Sequence, residues 1–240
     1  MYIRDLAEHY AARHTVYLPD QRGTGQSGRP SVNRENYNLK QYVADLESVR
    51  VAANILSWPV VGHSWGALLA LAYIEGFPQN VENLLAIGAC GPSIDFLAPA
   101  LQRLRARMTE KDRSKVNALA SLGATDEAAS ENSRIMTPLF FRDRELGERF
   151  NRAQNGNITT WGIFGTVMDD INKTGFDARP ALRAYERPVL VLHGDYDHIP
   201  SEYPKQTAEA APLGSYVEIP DCGHFPWLEA PEAFYPVIDG

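Results

Sequence analysis

Apolar positions recur along this chain with two different periods, and the changes of period mark out its elements. Ile3, Leu6, Tyr10 and His14 share one face at helical spacing, which predicts a helix over residues 2–14. Residues 15–18 (TVYL) form a short β-branched and aromatic run ending at Pro19, read as a buried strand. The glycine-rich stretch DQRGTGQSGRPS follows and reads as a loop. Leu39, Val43, Leu46, Val49, Ala53 and Leu56 then repeat every three or four residues, predicting an amphipathic helix over 39–56. Pro59-Val60-Val61 reads as a strand leading through Gly62-His63-Ser64-Trp65-Gly66 into ALLALAYI, a helix apolar on all sides. Such a helix must be buried, which suits packing against a sheet. Residues 83–88 (NLLAIG) read as the next strand.

Between about 92 and 187 strand signals stop. Leu97, Leu101, Leu104 and Met108 make one helical stripe; Val116, Leu119 and Leu122 make a second; Trp161, Phe164 and Met168 make a third. Arg103, Arg105 and Arg107 read as a solvated helix face. The strand pattern resumes in VLVLHGDYDHIP, continues at 216–219 after a short helix, and closes in the loop DCGHFPWLEAPEAF. Pro231 suits a helix start, and Pro236 is expected to interrupt that helix. Strands alternating with helices predict an α/β fold with a parallel sheet, carrying a long helical insertion.

Composition narrows the function classes. The 240 residues allow one large domain or two small ones, and 44% hydrophobic with 22% charged residues excludes a disordered or fibrous chain. No run approaches the roughly 18 apolar residues of a membrane helix, and the N-terminus is charged and amphipathic; a cytoplasmic protein without a membrane partner is expected. The two sequons, at Asn157 and Asn172, carry no meaning in that setting. A net charge of −7 disfavours nucleic acid as a partner. Cys90 and Cys222 should end strands two apart, about 10 Å from each other at ordinary strand spacing, and are expected to stay reduced.

Candidate chemistry converges on the strand ends. Gly62-x-Ser64-x-Gly66 lies between a predicted strand and a predicted helix, a setting that lifts a serine hydroxyl above a sheet. The Trp65 N–H then lies at a helix N-terminus, facing a developing oxyanion. A serine nucleophile needs a base, and the base an orienting acid. His224 lies in a loop after the last strand; Asp197 and Asp195 compete as the acid, and spacing from Gly194 favours Asp197. His193 and His198 flank the acid loop and could instead form a metal site with either aspartate. That reading leaves the serine turn without a purpose, so neither metal nor cofactor is expected. His63 reads as only the variable position of the turn, and Asp20 and Arg22 as loop scaffolding.

With these residues in place, the chain resembles the α/β-hydrolase superfamily, and within it the proline-iminopeptidase-like group with a helical cap. The motifs are Asp20-Gln21-Arg22-Gly23-x-Gly25-x-Ser27, Gly62-His63-Ser64-Trp65-Gly66, Gly194-x-x-Asp197 and Asp221-x-Gly223-His224. The resemblance implies a core of residues 1–91 and 188–240 and a cap of 92–187. It also implies three strands ahead of residue 1 that this chain lacks, and a His-Gly loop after the third of them that supplies a second oxyanion N–H. The third strand would separate TVYL from PVVG, so a gap in the sheet is expected, with a dimer as one way to cover exposed edges.

The expected function is a serine hydrolase: Ser64 attacks, His224 moves the proton, Asp197 orients His224, and Trp65 N–H holds the oxyanion. Trp161 and Phe164 would wall a pocket for small apolar esters, making a carboxylesterase the first reading. An iminopeptidase-like aminopeptidase is the alternative. It needs cap carboxylates for the substrate amine, and Asp169 and Asp170 are the candidates by position. A short, catalytically impaired hydrolase fold acting as a binding module is the third.

Overall fold

Each strand that lies inside the sheet alternates its side chains between two separate apolar clusters, and this alternation organises the whole molecule. The computed structural model describes residues 3–120, 126–153 and 161–239. Helix α1 (Arg4–Ala11) leads through a long loop to α2 (Leu39–Ala52), followed by β1 (Trp58–His63), α3 (Trp65–Gly76) and β2 (Val81–Ile87). Among the described residues six α-helices then intervene: α4 (Leu97–Arg107), α5 (Glu110–Ala120), α6 (Asp126–Met136), α7 (Arg144–Ala153), α8 (Trp161–Thr174) and α9 (Arg179–Arg183). The chain closes with β3 (Val189–Gly194), α10 (Glu202–Ala210), β4 (Gly214–Ile219), α11 (Pro226–Glu229) and α12 (Pro231–Asp239). Among the described residues the four strands form one parallel sheet in the order β1-β2-β3-β4.

In β2, Leu84 and Ala86 face the cluster built on α3, while Leu85 and Ile87 face the cluster built on α1 and α12. In β3, Val189 and Val191 take the first side and Leu190 and Leu192 the second. Covering both faces is what allows these strands to be almost wholly apolar. Helix α3 is buried from Ala67 to Ile74, as its unbroken apolar run requires. Helix α2 crosses it, with Glu47 accepting hydrogen bonds from the Tyr73 hydroxyl (2.7 Å) and the Asn80 amide. Cys90 and Cys222 are both buried and unpaired in disulfide terms.

The insertion leaves the sheet after β2 and returns before β3. Its ends are tied by an isolated bridge between Ser93 and Asp177 and by the Ala178 N–H to the Pro92 carbonyl (2.8 Å). Helix α8 buries Val167 and Ile171 in the same core as α3, whereas Leu104, Met136 and Leu139 form a small cluster of their own. Leu122 and Asn157, and the side chain of Trp161, lie outside the described residues.

Three expectations are corrected here. Residues 15–18 form no strand, and Tyr17 and Leu18 are exposed. A strand exists only through ladder bonds to a neighbour; residues 15–19 and β1 instead line a shared cavity. The helix predicted over 39–56 stops at Ala52, because Asn54 adopts a left-handed conformation (φ 56°) that ends it and turns Leu56 out to solvent. Helix α12 runs through Pro236 without a break. Its Phe234 is wholly buried against Leu6, and Tyr235, Val237 and Ile238 pack on the same cluster. That apolar contact offsets the roughly 3 kcal/mol a helical proline costs.

Candidate active site

Strand β1 ends at His63, and the chain enters α3 through Ser64 at φ 56° and ψ −120°. A non-glycine residue persists in so strained a conformation only when its surroundings over-determine it. Here the Ser64 N–H donates to the Ile87 carbonyl (2.9 Å), and its own carbonyl accepts from the Ala67 N–H (2.9 Å). The turn is also very tight. A Cβ on Gly62 would lie 2.5 Å from the Gly66 carbonyl oxygen and 2.7 Å from the Ala67 Cα, so only glycine fits. Burial raises the pKa of the Cys90 thiol strongly, and the neighbouring Ser64 hydroxyl acts in the opposite direction. Trp65 opens α3, so its N–H has no acceptor within the helix.

The tip of β3 and the loop after β4 bring the other two side chains together. His224 Nδ1 donates to Asp197 Oδ2 at 2.7 Å, with both residues almost fully buried. Asp197 Oδ1 accepts from the Ile199 N–H (3.0 Å) and lies 2.9 Å from His198 Nδ1, while His193 Nδ1 lies 3.6 Å from Oδ2. Burial alone would raise the Asp197 pKa; His224, His193 and His198 more than offset it and hold the carboxylate well below its usual range. With Nδ1–H given to the carboxylate, the opposite nitrogen of His224 is left as an acceptor. Gly88 (φ 52°) makes room for this ring, since a Cβ there would sit 2.9 Å from His224 Nδ1. Asp195, the competing acid, is instead turned outward, accepting from the Cys222 N–H (3.2 Å).

Ser64, Trp65 and His224 open onto one cavity of about 1880 Å³ that continues under the helical insertion. Asp197, His198 and His224 bring donor atoms within 4.8 Å of one another, near enough to share a cation. The ordered His224–Asp197 bond and the serine on the same cavity fit proton transfer better than ligation.

Several residues that shape the site escaped the sequence reading. The arginines of α4 are not a uniformly solvated face. Arg107 donates to the carbonyls of Leu139 (2.9 Å) and Tyr196 and lies over the Tyr196 ring (4.1 Å), and Arg103 reaches the Asp197 carbonyl (3.4 Å). Both therefore strap the insertion to the acid loop. Glu229 accepts from the N–H groups of Arg142 (2.8 Å) and Phe225 (3.2 Å), gripping the chain next to His224. No local pattern encodes the bonds of Arg103, Arg107 and Arg142, because each joins segments more than 30 residues apart in sequence. The loop at 20–28 does act as scaffolding. Arg22 makes a bidentate pair with Asp45 (2.6 and 2.7 Å), and Gln21 accepts the Trp65 indole N–H (2.9 Å).

The match to known proteins follows this geometry. A family model described as the alpha/beta hydrolase fold matches residues 1–231. The chain is an α/β-hydrolase. It is similar to the proline iminopeptidase of Xylella fastidiosa (strain 9a5c), with 41% identity over 248 residues covering 90% of this chain and 76% of that protein. It is also similar to the proline iminopeptidase of Heyndrickxia coagulans, with 26% identity over 236 residues covering 93% and 79%. These relatives place it in the proline-iminopeptidase-like group. Among solved structures, an alpha/beta fold family hydrolase from Bacillus anthracis str. Sterne superposes with a TM-score of 0.78 at 22% identity, covering 98% of this chain and 84% of that one. A thermophilic esterase from Thermogutta terrifontis superposes with a TM-score of 0.72 at 22% identity, covering 99% and 83%. Among the described residues, no helix of the hydrolase is long and apolar enough to cross a membrane.

The buried histidines give the hydrolase a characteristic acid response. Burial holds the pKa values of His63, His193 and His198 below the ordinary value, that of His198 at about 4. Below about pH 6.5 the unfolded chain takes up protons at these positions that the native chain refuses. Their contribution is thus fully present above about pH 6.5 and is lost as pH falls toward 4. Urea midpoints measured from pH 7 to 4.5 should fall steadily, and His198→Phe should make the slope shallower; a flat profile would contradict this.

Proposed function

We propose that this α/β-hydrolase cleaves small apolar esters through an acyl-enzyme on Ser64. The hydrogen bond from His224 Nδ1 to the buried Asp197 carboxylate carries this reading, since it leaves the other imidazole nitrogen as a base on the cavity that Ser64 shares. In the first step His224 takes the Ser64 proton as Oγ bonds to the ester carbonyl carbon. The carbonyl electrons move to oxygen, where the Trp65 N–H and the positive end of α3 stabilise them. The tetrahedral adduct then collapses, the C–O bond to the alcohol breaks, and His224 returns its proton to the departing alkoxide. Water repeats the sequence and releases the acid.

The ester preference rests on the cavity. Its wall includes Leu104, Met136, Phe140, Ile163, Phe164 and Val167. An aminopeptidase needs carboxylates for the substrate's ammonium, and the two anticipated ones are otherwise engaged. Asp169 pairs with Lys173 (2.6 Å), and Asp170 pairs with Arg34 (2.8 Å) and accepts the Leu39 N–H. The carboxylates that do reach the cavity from α6 and α7 already face cations. Glu131 lies beside Arg134 (3.1 Å), and Glu148 beside Arg144 (3.8 Å). Esters also demand less oxyanion stabilisation than amides, which suits a site where the elbow supplies one donor.

Iminopeptidase chemistry is the second reading, favoured by the 41% identical relative of that name. Steady-state turnover of p-nitrophenyl acetate against proline p-nitroanilide separates the two. The ester should be preferred by more than about 100-fold in kcat/KM, a difference of about 3 kcal/mol in activation free energy. Preference for the anilide would overturn the ester reading.

A further inference from the structure

The residue preceding the nucleophile carries more of the site than its place in the motif predicts. His63 is the last residue of β1 and is buried. Its ring packs on His224 (4.6 Å between centroids), on Phe225 (5.0 Å) and edge-on against Trp227 (4.8 Å). Its Nε2 lies 2.8 Å from the main-chain carbonyl oxygen of His224. A carbonyl oxygen only accepts, so His63 must present Nε2–H to it.

We propose that His63 is a positioning residue, whose Nε2–H bond to the His224 carbonyl fixes the base relative to the nucleophile. The route is short: one end is covalently adjacent to Ser64, and the other is the main chain of His224 itself. Other grips on this loop come from other directions. The His224 N–H donates to the Phe140 carbonyl (2.9 Å), and the Phe225 N–H to Glu229. Those two hold the loop to the insertion and to α11; the His63 bond ties it to the elbow. Burial, reinforced by the neighbouring His224, keeps His63 neutral, so the donor persists across the working pH range. A loss of this tie lets the imidazole drift from Ser64, and a misplacement near 1 Å costs about 100-fold in rate.

The role rests on the serine-hydrolase reading, but its first test does not need activity. Two-dimensional 15N–1H spectra of the imidazoles in the resting protein should show His63 as the neutral Nε2–H tautomer from pH 8 to 5. The Nδ1–H tautomer, or an imidazolium at neutral pH, would overturn the proposal. The second test compares His63→Gln, which keeps a side-chain N–H donor, with His63→Phe, which keeps a ring of similar size. With p-nitrophenyl acetate, His63→Phe should lower kcat by about 10- to 100-fold with KM within about twofold, and His63→Gln should recover most of that loss. The low-field proton resonance of the His224–Asp197 bond should shift in the Phe variant and return in the Gln variant. Equal losses in both variants, or an unimpaired Phe variant, would overturn the role. If His63→Phe does not fold, the tautomer and the Gln variant decide it. Should the wild-type protein turn over no ester or anilide, the function reading fails while the tautomer result stands.

Discussion

Ser64→Ala is expected to lower esterase turnover by about 10⁶-fold, to the residual rate that binding and oxyanion stabilisation alone provide. Ser64 joins the end of β1 to the start of α3, and the position is specified by a strained backbone held from two sides by the Ile87 carbonyl and the Ala67 N–H. Alanine has nearly the same conformational demands there as serine, so the strain is neither added nor relieved. The melting temperature should therefore stay within a few degrees while activity disappears. A fluorophosphonate probe provides a second readout: it should label the wild-type protein once per chain and leave the alanine variant unlabelled. A variant that retains turnover would remove the acyl-enzyme mechanism, for esters and iminopeptide substrates alike.

Asp197→Asn should lower kcat by about 10⁴-fold, and the cause is the direction of a proton rather than a lost charge alone. Oδ1 of Asp197 accepts from the Ile199 N–H, and Oδ2 accepts from His224 Nδ1. An asparagine keeps its carbonyl oxygen on the Ile199 N–H and so turns its NH₂ toward His224. The imidazole must then accept at Nδ1 and carry its proton at the other nitrogen, where it can no longer take one from Ser64. The same variant should stay folded, since shape and hydrogen-bond count are nearly preserved. Kinetics beside a thermal melt will separate the two quantities. An Asn variant within about tenfold of wild type would show that another group orients His224, with His198 and its contact to the same carboxylate the first to examine.

The elements were legible where hydrophobic period and turn chemistry act locally. The apolar run 67–74 had to be a buried helix, and VLVLHG a buried strand, because nothing but a core accommodates them. Residues 15–18 misled because strand propensity describes a side-chain pattern, while a strand also requires a partner ladder. Pro236 misled in the opposite sense, since the burial of Phe234 is a tertiary contact no local rule contains. For the site, glycine spacing singled out Ser64 and favoured Asp197 over Asp195, and the loop order pointed to His224. The spacing argument for Asp197 has a physical counterpart: its carboxylate turns inward to His224 while that of Asp195 meets the Cys222 N–H.

By itself, then, the sequence determined the α/β alternation, the helical insertion and the serine turn, because each depends on residues within a few positions of one another. Only the tertiary structure decided which groups surround the reacting ones. Arg107 bonds across 89 residues to Tyr196, Glu229 across 87 to Arg142, and His63 across 161 to His224. Each is a hydrogen bond between a side chain and the backbone. The backbone partner is the same chemical group at every position but proline, so no residue type in the sequence marks where such a bond will close. Folding selects it by bringing one carbonyl or N–H within 3 Å or so of a donor or acceptor that has already been desolvated.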